Sequence, residues 1–146
     1  MYTYANNDPI NSRDSTGYFT VEGCDHVPSE SEVAAELITS GILAKDKKLF
    51  SCISKQIVNP NTVVKCNLQV DIQCVFSNTT KDQATAGFAD IGSCEKPTHE
   101  VRWCHFKKFK GNCAAQALLH ELAHTCGWDH GQKKNVPGDS GVIECK

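Results

Sequence analysis

Apolar residues recur at helical spacing in the first third of the chain. Val33, Leu37 and Ile38 form one stripe, and Pro28-Ser29-Glu30-Ser31-Glu32 precedes it. Ser29 as N-cap with Glu32 three residues on makes a capping box, and Gly41 is the expected stop. A second helical stripe runs through Leu49, Phe50, Ile53 and Ile57 and ends at Asn59-Pro60-Asn61, where the residue before proline is pushed out of helical geometry. The period then changes from that of a helix to that of a strand. Val64, Cys66, Leu68, Val70, Ile72, Cys74 and Phe76 alternate with Lys65, Asn67, Gln69, Asp71 and Gln73. This predicts a strand with one buried and one wet face, as in an antiparallel sheet beside solvent. A run over 63–76 is long for one strand, so a bulge or bend is expected. Ser77 to Gln83 reads as a polar loop, and Ala84 to Ser93, with Gly87 and Gly92, as a short strand and turn. Val101-Arg102-Trp103-Cys104-His105-Phe106 reads as a further strand with Val101, Trp103 and His105 on one face. Asn112 is placed to cap a helix over 113–125, in which Ala114, Ala115, Ala117, Leu118, Leu119, Leu122 and Ala123 are strong helix formers and bury its back. The class is α+β: a mixed or antiparallel sheet packed on helices.

The last helix carries the chemistry. His120 and His124, four apart, lie on one helical face about a turn from each other, so both imidazoles reach one metal ion. Glu121 points to a neighbouring azimuth, where a carboxylate can act on solvent at the metal without taking a coordination site. Gly127 accepts a positive φ and turns the chain back, which places His130 as a third nitrogen ligand. Asp129 and Asp139 are the carboxylate alternatives for that third place. Three protein ligands and one open position describe a catalytic Zn²⁺ site, whereas four ligands describe a structural one. Glu121 is then the general base that takes a proton from water and passes it to the leaving amine. A bare His-Glu-x-x-His is short enough to arise by chance; the eleven residues from His120 to His130 are far more specific.

Composition narrows the setting. The chain has 146 residues, room for one domain with a modest core and a short appendage. A net charge of −2 with mixed signs leaves no nucleic-acid footprint, and the basic run at 106–110 reads as a solvated strand end. No apolar run approaches the roughly 20 residues of a membrane span. The first residues have neither the basic nor the apolar region of a signal peptide. Nine cysteines, spread evenly and without a Cys-x-x-Cys, suit disulfides that staple a small domain in an oxidising compartment. Their odd number leaves at least one thiol free or paired between chains. Cys113 and Cys126 bracket the metal helix and are placed to tie its ends to the body.

Two resemblances carry further expectations. His120, Glu121, His124, Gly127 and His130 match the signature of the metzincin peptidases position for position. That resemblance implies a small zincin-like domain whose active-site helix carries His-Glu-x-x-His. It also implies a strand just upstream that presents an edge to a peptide substrate; residues 101–106 are the candidate, with Arg102, Trp103 and His105 as substrate-binding residues. Metzincins carry a methionine-containing turn beneath the metal. Here the only methionine is Met1, and Asn135-Val136-Pro137-Gly138-Asp139 is the stretch able to turn in its place. Tyr2, Tyr4, Asn7, Pro9, Asn11, Asp14 and Gly17 fall in the register of the closing motif of the Rhs (YD-repeat) core. That resemblance implies that residues 1–20 are the tail of a large shell and that 21–146 are a C-terminal toxin domain. A dedicated machine would secrete it and deliver it into the periplasm or cytoplasm of a target cell, and it would travel with a cognate immunity protein.

The function expected is therefore a zinc metalloendopeptidase acting as an effector toxin on a protein or peptide. The alternatives are a zinc amidase acting on cell-wall peptides and a non-catalytic module whose zinc is structural, with a thiolate such as Cys126 among its ligands.

Overall fold

The computed structural model describes residues 17–66, 87–104 and 112–143. Strand β1 (Thr20–Glu22) leads into helix α1 (Glu30–Ser40), a short α2 (Ile42–Lys45) and α3 (Lys47–Ile57). Strands β2 (Val63–Lys65), β3 (Gly87–Phe88) and β4 (Glu100–Trp103) follow, and then helix α4 (Cys113–Thr125).

Local chemistry sets the helix ends. Ser29 Oγ accepts the Glu32 amide at 3.2 Å while Glu32 Oε1 accepts the Ser29 amide at 2.9 Å, closing the capping box. Asp46, the residue between α2 and α3, accepts the Leu49 amide on its side chain at 3.0 Å and so starts α3. Asn112 is the N-cap of α4, but its side chain makes no capping hydrogen bond.

The strands form one sheet in the order β1-β2-β4-β3. β2 is parallel to β1 on one side and to β4 on the other, and β3 is antiparallel to β4. The sheet is thus mixed, and the strand that opens the 63–76 run lies between parallel neighbours, not in an antiparallel ladder. Alternation of apolar and polar side chains reports which face is buried and carries no information on strand direction. Only residues 63–66 of that run are among those described. β1 was not legible, because a three-residue strand gives no periodicity.

β4 lies inside the sheet, not at its edge. Val101 faces Val64 across the ladder, and both are fully buried. Trp103 is 2% exposed, and its indole N–H donates to the His26 carbonyl at 2.8 Å. Trp103, expected to face substrate, is thus packed in the core among the described residues. Arg102, on the other face, is exposed, with its guanidinium 5.2 Å over the Phe88 ring. His105 lies outside the described residues.

α4 packs against α1, α3, β3 and β4. Leu118, Leu119 and Leu122 fill the space between these elements together with Ile53, Val33 and Ile42, all of them fully buried. Disulfides join Cys24 to Cys66 and Cys52 to Cys126, and Cys104 and Cys113 are also disulfide-bonded. The second of these ties α3 to the end of α4. Cys94 is a free thiol. A buried polar group reinforces the same junction: Gln56, 2% exposed, donates from Nε2 to the Thr98 carbonyl at 2.7 Å and to Thr125 Oγ1 at 3.0 Å. Its Oε1 accepts from Thr62 Oγ1 at 3.0 Å. One side chain on α3 thus links the end of α4, the start of β2 and the loop before β4.

Candidate metal centre

The sequence His120-Glu121-Leu122-Ala123-His124 lies in the last turns of α4. Helical spacing puts the two imidazoles on one face, with their Nε2 atoms 3.2 Å apart. The helix ends abruptly. The amides of Cys126 and Trp128 both return to the Ala123 carbonyl, and that of Gly127 to the His124 carbonyl. Gly127 has φ +100°, and a Cβ there would lie 3.0 Å from the Gly92 carbonyl oxygen, so both its conformation and its space require glycine. The reason for the crowding is that the loop after β3 folds under the helix end: the Gly92 amide donates to the His124 carbonyl and the Thr98 amide to the Thr125 carbonyl. The Thr125 carbonyl thereby gains a partner, and the His124 carbonyl, already met by the Gly127 amide, gains a second.

The reversal at Gly127 brings His130 back, with its Nε2 3.2 Å from that of His120. His120, His124 and His130 each offer one ligand atom, and these atoms all lie within 4.8 Å of one another. Asp129 and Asp139 are used elsewhere. Asp129 Oδ1 accepts the His130 amide at 2.7 Å, and Asp139 Oδ1 accepts the Lys133 amide at 3.1 Å. Cys126, bonded to Cys52, has no thiolate to offer.

The outer nitrogens are held by backbone oxygens. His120 Nδ1–H donates to the Pro137 carbonyl at 2.8 Å, and His124 Nδ1–H donates to the Trp128 carbonyl at 2.9 Å. A carbonyl can only accept, so both rings carry their proton on Nδ1 and turn an Nε2 lone pair inward. Lone pairs of neutral rings at 3.2 Å repel unless a cation lies between them. A tetrahedral zinc ion, with Zn–N of about 2.0–2.1 Å, would space its nitrogen ligands roughly 3.3 Å apart. The donor set and its spacing fit such an ion.

The turn at 135–141 supplies the Pro137 carbonyl. Val136 is buried beneath it, Asn135 adopts φ +67°, and its Nδ2 donates to the Gly41 carbonyl at 3.1 Å. Gly138 is needed there, since a Cβ would fall 2.7 Å from His120 Nδ1. The stretch expected to turn without a methionine does so, and its Pro137 carbonyl orients His120.

Electrostatics suit the same use. Burial pushes His120 down to about 4, against the opposing pull of its bond to Pro137, and burial also lowers His124. Both rings are therefore neutral, and able to act as ligands, at neutral pH. Glu121 is 6% exposed, and burial pushes its carboxyl up to about 8. A carboxyl so perturbed, next in sequence to one of the three clustered histidines, makes this a candidate functional site.

A zinc metalloproteinase-disintegrin-like protein of Cerberus rynchops is 32% identical over 72 residues, 49% of this chain. The likeness is to a zinc metalloproteinase. The matched stretch spans 10% of that protein. No family model matches, and no solved structure does.

Three contributors to the site were not singled out from sequence: the Pro137 carbonyl, Trp128 and Gln56. The turn signal in Pro137-Gly138 was readable, but its pairing with His120 spans 17 residues and has no local signature.

Proposed function

We propose that this chain is a zinc-dependent endopeptidase of the zincin type, with His120, His124 and His130 holding the metal and Glu121 as general base. The observation that carries this reading is the convergence of three Nε2 atoms, those of His124 and His130 each 3.2 Å from that of His120, with the His120 and His124 tautomers fixed from behind by backbone carbonyls. Three ligands leave a coordination position open, the arrangement of a catalytic and not a structural site.

A bound zinc ion supplies Lewis acidity, polarising the scissile carbonyl and acidifying the solvent beside it. The protein does the rest. The Pro137 and Trp128 carbonyls hold the His120 and His124 rings in place, so these two ligands need not reorganise during reaction. Glu121 takes a proton on a carboxylate oxygen from attacking water and delivers it to the leaving nitrogen. Burial alone raises this carboxyl to about 8, and a bound cation beside it would favour the carboxylate form that accepts the proton.

Among the described residues β3 pairs only with β4, so its other edge is unpaired. It packs against α4 and is the strand that an extended peptide would join by backbone hydrogen bonds. β3 replaces β4 in that role, because β4 is paired on both sides.

The wider setting belongs to the same proposal. The pattern at residues 1–17 supports a toxin domain released from an Rhs shell, secreted by a dedicated machine and accompanied by an immunity protein. Residues 1–16 lie outside those described.

The test is to incubate zinc-loaded protein and its Glu121→Gln variant with casein and with purified cell wall. Cleavage of casein by the parent alone is the expected result. Casein left intact beside degraded wall would replace the endopeptidase by an amidase. Equal activity in the variant would remove Glu121 from the chemistry.

A further inference from the structure

We propose that Trp128 is a positioning residue for the metal cage, the surface against which all three ligand imidazoles are set. The inference rests on the metal reading above and goes beyond it. Trp128 is 2% exposed. Its ring centroid lies 5.0 Å from that of His120, 4.9 Å from that of His124 and 5.6 Å from that of His130. The three imidazoles are themselves 4.8–5.0 Å apart, centre to centre. One indole therefore touches every member of the tripod: His120 and His130 in edge-to-face fashion at 80° and 67°, and His124 in a tilted stack at 38°. These are the favoured geometries for aromatic pairs, and together they restrain the direction of each ring.

The main chain of the same residue acts in concert. The Trp128 carbonyl fixes the His124 tautomer, and the Trp128 amide closes the helix on Ala123. Side chain and backbone thus orient the same ligand from two sides.

The indole N–H argues that this is more than packing. It is buried and has no hydrogen-bond partner among the described residues. An unmet buried donor opposes folding, and phenylalanine or leucine at this position would avoid it. What those residues lack, in part or altogether, is a ring wide enough to reach three imidazoles at once. A metal site needs its ligands held close to the productive angles, and the indole meets that need despite its idle donor.

The experiment compares the whole chain with Trp128→Leu, Trp128→Met and Trp128→Phe. Leu37→Ala, a core truncation on α1, is the control for lost stability. Zinc affinity is measured by competition with a chromophoric chelator, and Co²⁺ is substituted to read the ligand field in the visible spectrum. Trp128→Leu and Trp128→Met are expected to bind zinc about 10–100-fold more weakly, the usual effect of losing an outer-shell support, with an altered Co²⁺ band. Trp128→Phe, whose smaller ring cannot reach all three imidazoles, is expected to fall between these variants and the parent in affinity and band, and Leu37→Ala to keep both. Should the leucine variant fail to fold, the methionine variant, with similar reach and no ring, decides the matter. Parent affinity and an unchanged Co²⁺ spectrum in the non-aromatic variant would overturn the proposal, as would an equal loss in Leu37→Ala. Failure of the parent to bind zinc at all would show separately, as failure of the metal reading beneath it.

Discussion

Replacing Glu121 by glutamine tests the site through stability as well as activity. The change keeps the side chain's shape and removes its titration. Burial pushes this carboxyl from 4.5 to about 8, so in metal-free protein the folded state keeps a proton that the unfolded chain releases above pH 4.5. The unfolded state then binds fewer protons, and stability falls as pH rises through that window. At about 1.4 kcal/mol per pH unit, the carboxyl costs roughly 3 kcal/mol at pH 7 and nothing below 4.5. His120 acts in the opposite sense. Burial moves it from 6.5 to about 4, so acid protonates the unfolded chain first and stability falls as pH drops below 6.5. Between 4.5 and 6.5 these two groups offset each other in the parent. In Glu121→Gln only the histidines remain, and stability should rise with pH up to about 6.5 and then level off. Urea unfolding of chelator-treated parent and variant near pH 5, 7 and 8 reads the difference. The variant's stability relative to the parent should grow by on the order of 3–5 kcal/mol from pH 4.5 to 8. Loaded with zinc, the variant should retain one equivalent of metal and lose hydrolysis by roughly 10²–10⁴-fold. A stability difference independent of pH would refute the reasoning, because it would show that the carboxyl is not sequestered in the fold.

Other perturbations probe the supports of the site. Gln56→Ala strands the Thr98 carbonyl and removes a link to the end of α4; thermal or urea melts should show a loss of about 1–3 kcal/mol. Replacing Cys52 and Cys126 together by alanine opens a loop of 74 residues, for which chain entropy gives a loss of about 4 kcal/mol, readable as a lower urea midpoint. Gly138→Ala places a methyl group 2.7 Å from His120 Nδ1 at φ +79°. It should weaken zinc binding about tenfold or more while far-UV circular dichroism stays native.

Much of this organisation was legible in the sequence, and what was missed has a common cause. Ser29 with Glu32, the apolar stripes of α1 and α3 and the alanine-leucine back of α4 are local signals, and each element formed where its signal stood. Ile38, however, read into the α1 stripe, is 71% exposed, and only Val33 and Leu37 are buried. The convergence of His120, His124 and His130 was equally legible, because helical spacing and one glycine suffice to bring them together. Strand direction was not, since residues 63–65 alternate in the same way whatever their neighbours do. The placing of β4 at an edge failed for a related reason: being flanked on both sides is a property of the sheet, and Val101 and Trp103 reveal only that one face is buried. Support from Pro137, Trp128 and Gln56 depends on contacts between segments distant in the chain, or on ring geometry that a residue name does not encode.

The central claim is that three imidazoles share one metal ion and leave a position free. X-ray absorption at the zinc edge of the loaded protein tests it most directly. The account predicts one zinc per chain with nitrogen or oxygen neighbours at about 2.0–2.1 Å, and loss of that shell in His130→Ala. Sulfur neighbours at about 2.3 Å, or failure to take up zinc in stoichiometric amount, would contradict it.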